Sequence, residues 1–111
     1  MASEKNQDIQ AIVDKVYSKF SNTDLSKFPE KLAMQINLTG KIAGVFYIEV
    51  LNGVLSVEPY EYIDRDFAIS LTKTNLYKIL DGKLKFETAY KTKKLSVDGD
   101  LSKATVFKEF L

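Results

Sequence analysis

The chain has no cysteine, no histidine and no tryptophan, and its 111 residues include only two prolines and five glycines. Without histidine, the commonest general base and metal-binding side chain is missing. With cysteine absent as well, Ser-His-Asp triads, HExxH helices, zinc fingers and iron–sulfur sites are excluded. No disulfide framework can form. The glycines make neither GxGxxG nor the phosphate loop GxxxxGKS/T. No metal, nucleotide or other cofactor is expected.

An excess of one charge is lacking too. Lys plus Arg number 16 against 15 Asp plus Glu, a net charge of +1, too balanced for a protein that tracks a phosphate backbone. Nucleic acid is therefore not an expected partner. No apolar run approaches the ~20 residues that span a bilayer. The start, MASEKNQDIQ, has no basic patch followed by an apolar run, as a signal peptide would, and FKEFL at the end is not a peroxisomal address of the SKL type. A cytoplasmic protein is expected.

What is present is ordinary globular composition, 45% hydrophobic and 28% charged, which argues against disorder. The length suits one domain over residues 1–111, and a chain of this size buries roughly 65% of the surface it exposes when unfolded. Ile9, Ile12, Val13, Val16, Tyr17 and Phe20 recur at helical spacing, with Asp8, Lys15 and Lys19 elsewhere on the wheel. SNTDLSKFP ends that helix. The period then becomes two, with Leu32, Met34, Ile36 and Leu38 alternating with Ala33, Gln35, Asn37 and Thr39 as in a half-buried strand. VFYIEVL and VLSVEPY flank Asn52-Gly53, a strong hairpin signal because both central residues of a type I′ turn need positive φ. That loop pairs Leu51 with Val54, Val50 with Leu55, Glu49 with Ser56 and Ile48 with Val57, and Pro59 implies that the second strand stops nearby.

EYIDRD reads as a loop, and Phe67, Ile69 and Leu71 as a fourth strand. Thr72 or Thr74 is suited to cap a short helix carrying Leu76, Ile79 and Leu80 and closed at Gly82. FETAY suggests one more helical turn, KLSV a fifth strand with Leu95 and Val97 inward, and LSKATVFKEFL a closing helix. The expected fold class is α+β, an antiparallel sheet with helices gathered on one face.

Two carboxylate pairs, Asp64 with Asp66 and Asp98 with Asp100, have the residue types for acid–base work or for a hard cation. Each falls in a turn, where aspartate is favoured for bonding nearby backbone amides. Lys91, Lys93 and Lys94 beside Tyr90 suit a solvated edge strand or an anionic head group. Leu101, Ala104, Val106, Phe107, Phe110 and Leu111 make the end of the chain apolar, which on composition alone reads as core.

The order of motifs from Phe67 onward resembles the sterol carrier protein type 2 family. The shared features are a strand, a helix ending in Gly82-Lys83-Leu84, the Ala89-Tyr90 pair, the strand Lys94-Leu95-Ser96-Val97-Asp98-Gly99 and a last helix over 101–111. Two departures stand out: Lys93 occupies the place of the family's usual glycine before the Lys-Leu strand, and Lys108 that of a frequent glutamine in the last helix. The resemblance implies a five-stranded antiparallel sheet with helices on one face and an apolar tunnel between them. It implies a fatty acid, fatty acyl-CoA or sterol-like ligand, a transient contact with a membrane surface, and no catalytic residues. The inward residues of strands and helices are then the expected lipid contacts: Phe46, Ile48, Val50, Leu55, Val57, Ile69, Leu76, Leu80, Phe86, Tyr90, Leu101, Ala104, Phe107 and Phe110. A structural or dimerisation module is the alternative, and an enzyme using Tyr90 or Asp98 a more distant one.

Overall fold

The helical spacing from Ile9 to Phe20 winds into α1, Ala2–Ser21, in a computed structural model that describes residues 2–22, 24–28 and 30–108. Ile9, Ile12, Val13, Val16 and Phe20 are buried along one side of it. Tyr17, expected in the same stripe, is 48% exposed. At 100° per residue it lies about 80° round the wheel from Ile9, outside the arc that the other five share. A 3-10 turn, Leu25–Lys27, follows, capped by Asp24, whose carboxylate accepts from the Ser26 amide.

Five strands then form among the described residues: β1 Lys31–Thr39, β2 Gly44–Leu51, β3 Val54–Glu58, β4 Phe67–Thr72 and β5 Leu95–Gly99. They stand in the order β3-β2-β1-β4-β5. The β2–β3 hairpin has the register expected from Asn52-Gly53, with Leu51 opposite Val54 and Ile48 opposite Val57. Both turn residues have positive φ, 50° and 81°, as the type I′ geometry demands. Between β4 and β5 lie α2, Lys73–Leu80, and α3, Phe86–Lys91, and α4, Leu101–Lys108, follows β5.

The sheet is mixed, which corrects the expectation of an antiparallel one: β4 runs parallel to β1, while the other pairings are antiparallel. Two successive hairpins make β3 parallel to β1. The connection over 59–66 then returns the chain to the starting end of β1 before β4 begins, with Phe67 opposite Met34, and so reverses nothing. A parallel crossover ordinarily takes a dozen residues or more. Here a short one suffices because β3 stops mid-sheet, with Glu58 opposite Tyr47. The alternating pattern of β4 is the same for a parallel or an antiparallel neighbour, so the sequence is silent on its direction.

β1 is also not half-buried. It is covered on both sides from Leu32 to Ile36, because it is the central strand and the 59–66 crossover lies across its second face. There the Tyr62 amide donates to Gln35 Oε1 at 3.0 Å. The first face carries Leu32, Met34, Ile36, Phe46, Ile48, Val50, Ile69 and Leu71 into one apolar cluster with α1, α2, α3 and Ala104 of α4.

Candidate functional site

The apolar compartment between sheet and helices is built by period two in the strands and by i, i+3, i+4 spacing in the helices. Of the fourteen expected lipid contacts, Phe46, Ile48, Val50, Val57, Ile69, Leu76, Leu80, Phe86 and Ala104 are buried together in this cluster, with Leu55 half-buried against it. Tyr90 and Leu101 are not inward: they are 43% and 44% exposed. In the six-residue α3, Phe86 and Ala89 take the inward face, and Tyr90 falls in the last turn. Leu101 opens α4 beyond the edge strand β5, and its helix turns Ala104 inward instead. The side chain of Phe107 and the whole of Phe110 lie outside the described residues.

Every side chain buried in this cluster among the described residues is apolar. Gln35 is the buried polar residue, and it belongs to the opposite face. On that face Gln35 Nε2 donates to Asn37 Oδ1 at 2.9 Å, Tyr62 Oη donates to Glu49 Oε2 at 2.6 Å, and the Tyr47 and Tyr62 rings meet edge to face at 5.1 Å. The hydrogen bond to Glu49, with burial added, pushes the Tyr62 phenol up to about 12. A phenol held by a carboxylate keeps its proton, which makes it a poor general base at neutral pH.

The carboxylate pairs separate in role. Asp66 Oδ2 accepts from the Ala33 amide at 2.8 Å and Oδ1 from Lys103 Nζ at 2.8 Å. Its own amide donates to Ala33 O at 2.8 Å, and its carbonyl accepts from the Asp100 amide at 3.1 Å. One residue thus ties the start of β4 to β1 and to the start of α4. Burial works to raise its pKa, but the Lys103 hydrogen bond and the Ala33 amide outweigh it and hold the carboxyl below the ordinary range. Asp100 accepts from Ser102 and from the amides of Ser102 and Lys103, an N-terminal cap of the kind aspartate favours. Asp64 and Asp98 are exposed. Both bonded aspartates are structural; the turn position was legible for Asp100, whereas Asp66 reaches a strand 33 residues back, which no local signal reveals.

Gly99, between β5 and α4, has φ 109°, and a Cβ there would stand 2.9 Å from both Asp66 O and Phe67 Cα. Only glycine fits at that approach. Lys91, Lys93 and Lys94 are exposed. Lys93 adopts φ 63° at the end of α3, where its amide donates to Tyr90 O and that of Lys94 to Ala89 O. This is the left-handed helix stop that glycine ordinarily fills.

A profile of the SCP-2 sterol transfer family matches residues 5–111. No curated protein matches the chain in sequence. Among solved structures, sterol carrier protein 2 like 2 from Aedes aegypti is similar over 96% of this chain and 98% of its own, with 18% identity and a TM-score of 0.72. The palmitated form of that protein, determined in solution, gives 19% identity and a TM-score of 0.69 over 91% of each chain. The stereoselective inverting sec-alkylsulfatase Pisa1 from Pseudomonas sp. is 25% identical over 80% of this chain, with a TM-score of 0.70. The matched region is 14% of that enzyme's length.

Proposed function

This chain belongs to the SCP-2 sterol transfer family, and on that premise we propose that residues 1–111 form one non-enzymatic lipid-binding domain of the cytoplasm. It holds a fatty acid, fatty acyl-CoA or sterol-like molecule in an apolar tunnel between helices and sheet, and transfers it through brief contacts with a membrane surface. The observation that carries this reading is the composition of the compartment: every described side chain buried in the cluster is apolar, and the buried polar residue lies on the other face of the sheet. Such a lining has nothing with which to polarise a bond or move a proton. It can solvate an alkyl chain, at about 0.8 kcal/mol per buried methylene. The palmitated relative supports a single saturated chain as occupant.

Binding then follows from exchange of contacts. An entering chain displaces side-chain packing and gains area, so walls of this kind grade ligands by length more than by head group; one methylene is worth about 1–3 kcal/mol even in a well-fitted pocket. Tyr90 and Asp98 stand exposed, outside any water-excluded cleft, which favours the non-enzymatic reading over catalysis by either.

Native mass spectrometry after gentle extraction, followed by displacement of a fluorescent fatty acid by saturated acids of increasing length, tests the proposal. A co-purified lipid and an affinity that climbs with chain length until the tunnel is filled are expected. Absence of binding at every length overturns it. A second reading, a structural or dimerisation module, draws on the alkylsulfatase, in which the matching region is a small part of an enzyme. A bare dimer without lipid would establish that reading instead.

A further inference from the structure

β1 and β4 are the parallel pair, and they end side by side, with Thr39 opposite Thr72. From there the chain diverges, one branch turning toward β2 and the other entering α2. The divergence leaves a groove of about 690 Å³, within the range of about 300–1,000 Å³ typical of small-molecule sites. Its lining includes Ile42 and Tyr77, both half-buried and packed against the core, so the groove has an apolar surface.

Lys41, Lys73, Lys78 and Lys83 also line it. The one carboxylate in the lining, that of Asp81, is bound by Lys15 at 3.0 Å, and none of the four lysines has an ion-pair partner among the described residues. The Tyr77 ring takes Lys73 at 5.2 Å and Lys15 at 5.0 Å, which holds positive charge at the rim. Four like charges around one carboxylate that is already paired repel one another, and a low-dielectric wall strengthens their field. An arriving anion relieves that repulsion.

We propose that this groove is a second ligand site, which takes a single-chain amphiphile with a phosphate or carboxylate head. The head lies among the four lysines, and the first part of the chain lies on Ile42 and Tyr77. A flat anionic bilayer would meet the lysines but not the half-buried apolar lining, so a discrete amphiphile is the better fit. The site is separate from the compartment between sheet and helices and stands whether or not that compartment takes lipid.

The test is a titration of the isotope-labelled full chain, followed by amide chemical shifts, with monododecyl phosphate below its micelle concentration. Inorganic phosphate and dodecyltrimethylammonium serve as the head-only and opposite-charge arms. Monododecyl phosphate should shift the amides of Ile42, Tyr77, Lys78 and Lys83, inorganic phosphate should act far more weakly, and the cation should have no effect there. Lys78→Glu with Lys83→Glu should lower affinity by about tenfold or more, Lys78→Gln with Lys83→Gln by less, and Lys31→Glu at the far end of β1 should leave it unchanged. Shifts confined to core amides such as Ile48 and Ile69 would overturn the groove while leaving the tunnel. Equal binding of inorganic phosphate would overturn the amphiphile, as would binding seen only with anionic vesicles. Undiminished affinity in the lysine variants would remove the proposed head-group contacts and overturn the site.

Discussion

The two faces of the sheet are held by different physics. Toward the helices, Phe46, Ile48, Ile36 and Ile69 meet Phe20, Ile12 and Leu76 in a cluster without a polar atom to orient them. Toward the crossover, Gln35, Asn37, Glu49, Tyr62 and Asp66 are each fixed by a named hydrogen bond. The first face gains stability from area, which is non-directional and tolerant of which apolar side chain supplies it. The second gains little net from each bond but loses heavily when a buried partner is left unpaired. A face of the first kind can exchange contacts with an alkyl chain; a face of the second kind locks strand position.

The largest effect is expected on the helix face. Phe46→Ala, at a fully buried ring, should cost about 3–5 kcal/mol in urea unfolding, whereas Phe46→Leu should cost much less. Lipid affinity, where the parent binds, should change with the alanine variant. An equal and large loss for both variants would show that the helix face needs one particular shape and is not held by apolar area alone.

Next comes Asp66→Ala, which removes the side-chain acceptor of the Ala33 amide and should cost about 1–3 kcal/mol without altering lipid preference. Asp66→Asn keeps an acceptor but not the charge, and separates the two contributions by pH. Because the folded carboxyl is held below its ordinary value, its contribution is present above the unfolded pKa of about 4 and fades as pH falls through the folded one. The asparagine variant should lose that part of the acid dependence; an unchanged acid limb of the unfolding curve would show that the Lys103 link contributes nothing.

A smaller effect is expected from Tyr62→Phe, about 0.5–1.5 kcal/mol, measured by thermal or urea unfolding at neutral pH. The Tyr62 pKa is raised in the fold to about 12. Its contribution is therefore complete below the unfolded phenol value of about 10 and is lost as pH rises through the folded one. The parent should lose stability over that alkaline window and the phenylalanine variant should not. Smallest of all, and opposite in sign, Lys93→Gly should stabilise by roughly 0.5–1 kcal/mol, since it relieves a left-handed backbone at a non-glycine residue. A destabilised glycine variant would mean that the Lys93 side chain contributes packing that its exposure does not suggest.

The two faces were also unequally legible. The helix face could be read residue by residue, because Leu32, Met34, Ile36 and Leu38 repeat with the pleat and Ile9 to Phe20 with the helix. Nine of the expected contacts are buried there. The departures are Tyr17, at the edge of its wheel, and Tyr90 and Leu101, which stand where a short helix ends or begins and periodicity has no second turn to confirm it. On the crossover face almost nothing could be read. EYIDRD looks like any polar loop, and that Tyr62 seeks Glu49 or Asp66 seeks Ala33 depends on where the loop is laid down.

By itself the sequence determined the elements, the hairpin register at Asn52-Gly53, a threonine cap at Thr72 or Thr74, of which the structure uses Thr72, and the apolar set, since all of these are set by neighbours within a few residues through φ preference, side-chain period and capping. The direction of β4, the burial of β1 on both faces and the meeting of Lys41, Lys73, Lys78 and Lys83 at one groove were decided only in the tertiary structure. Each of these depends on the path of the 59–66 crossover or on chain segments brought together from far apart, and alternation along a strand carries no record of which strand lies beside it or what covers its second face.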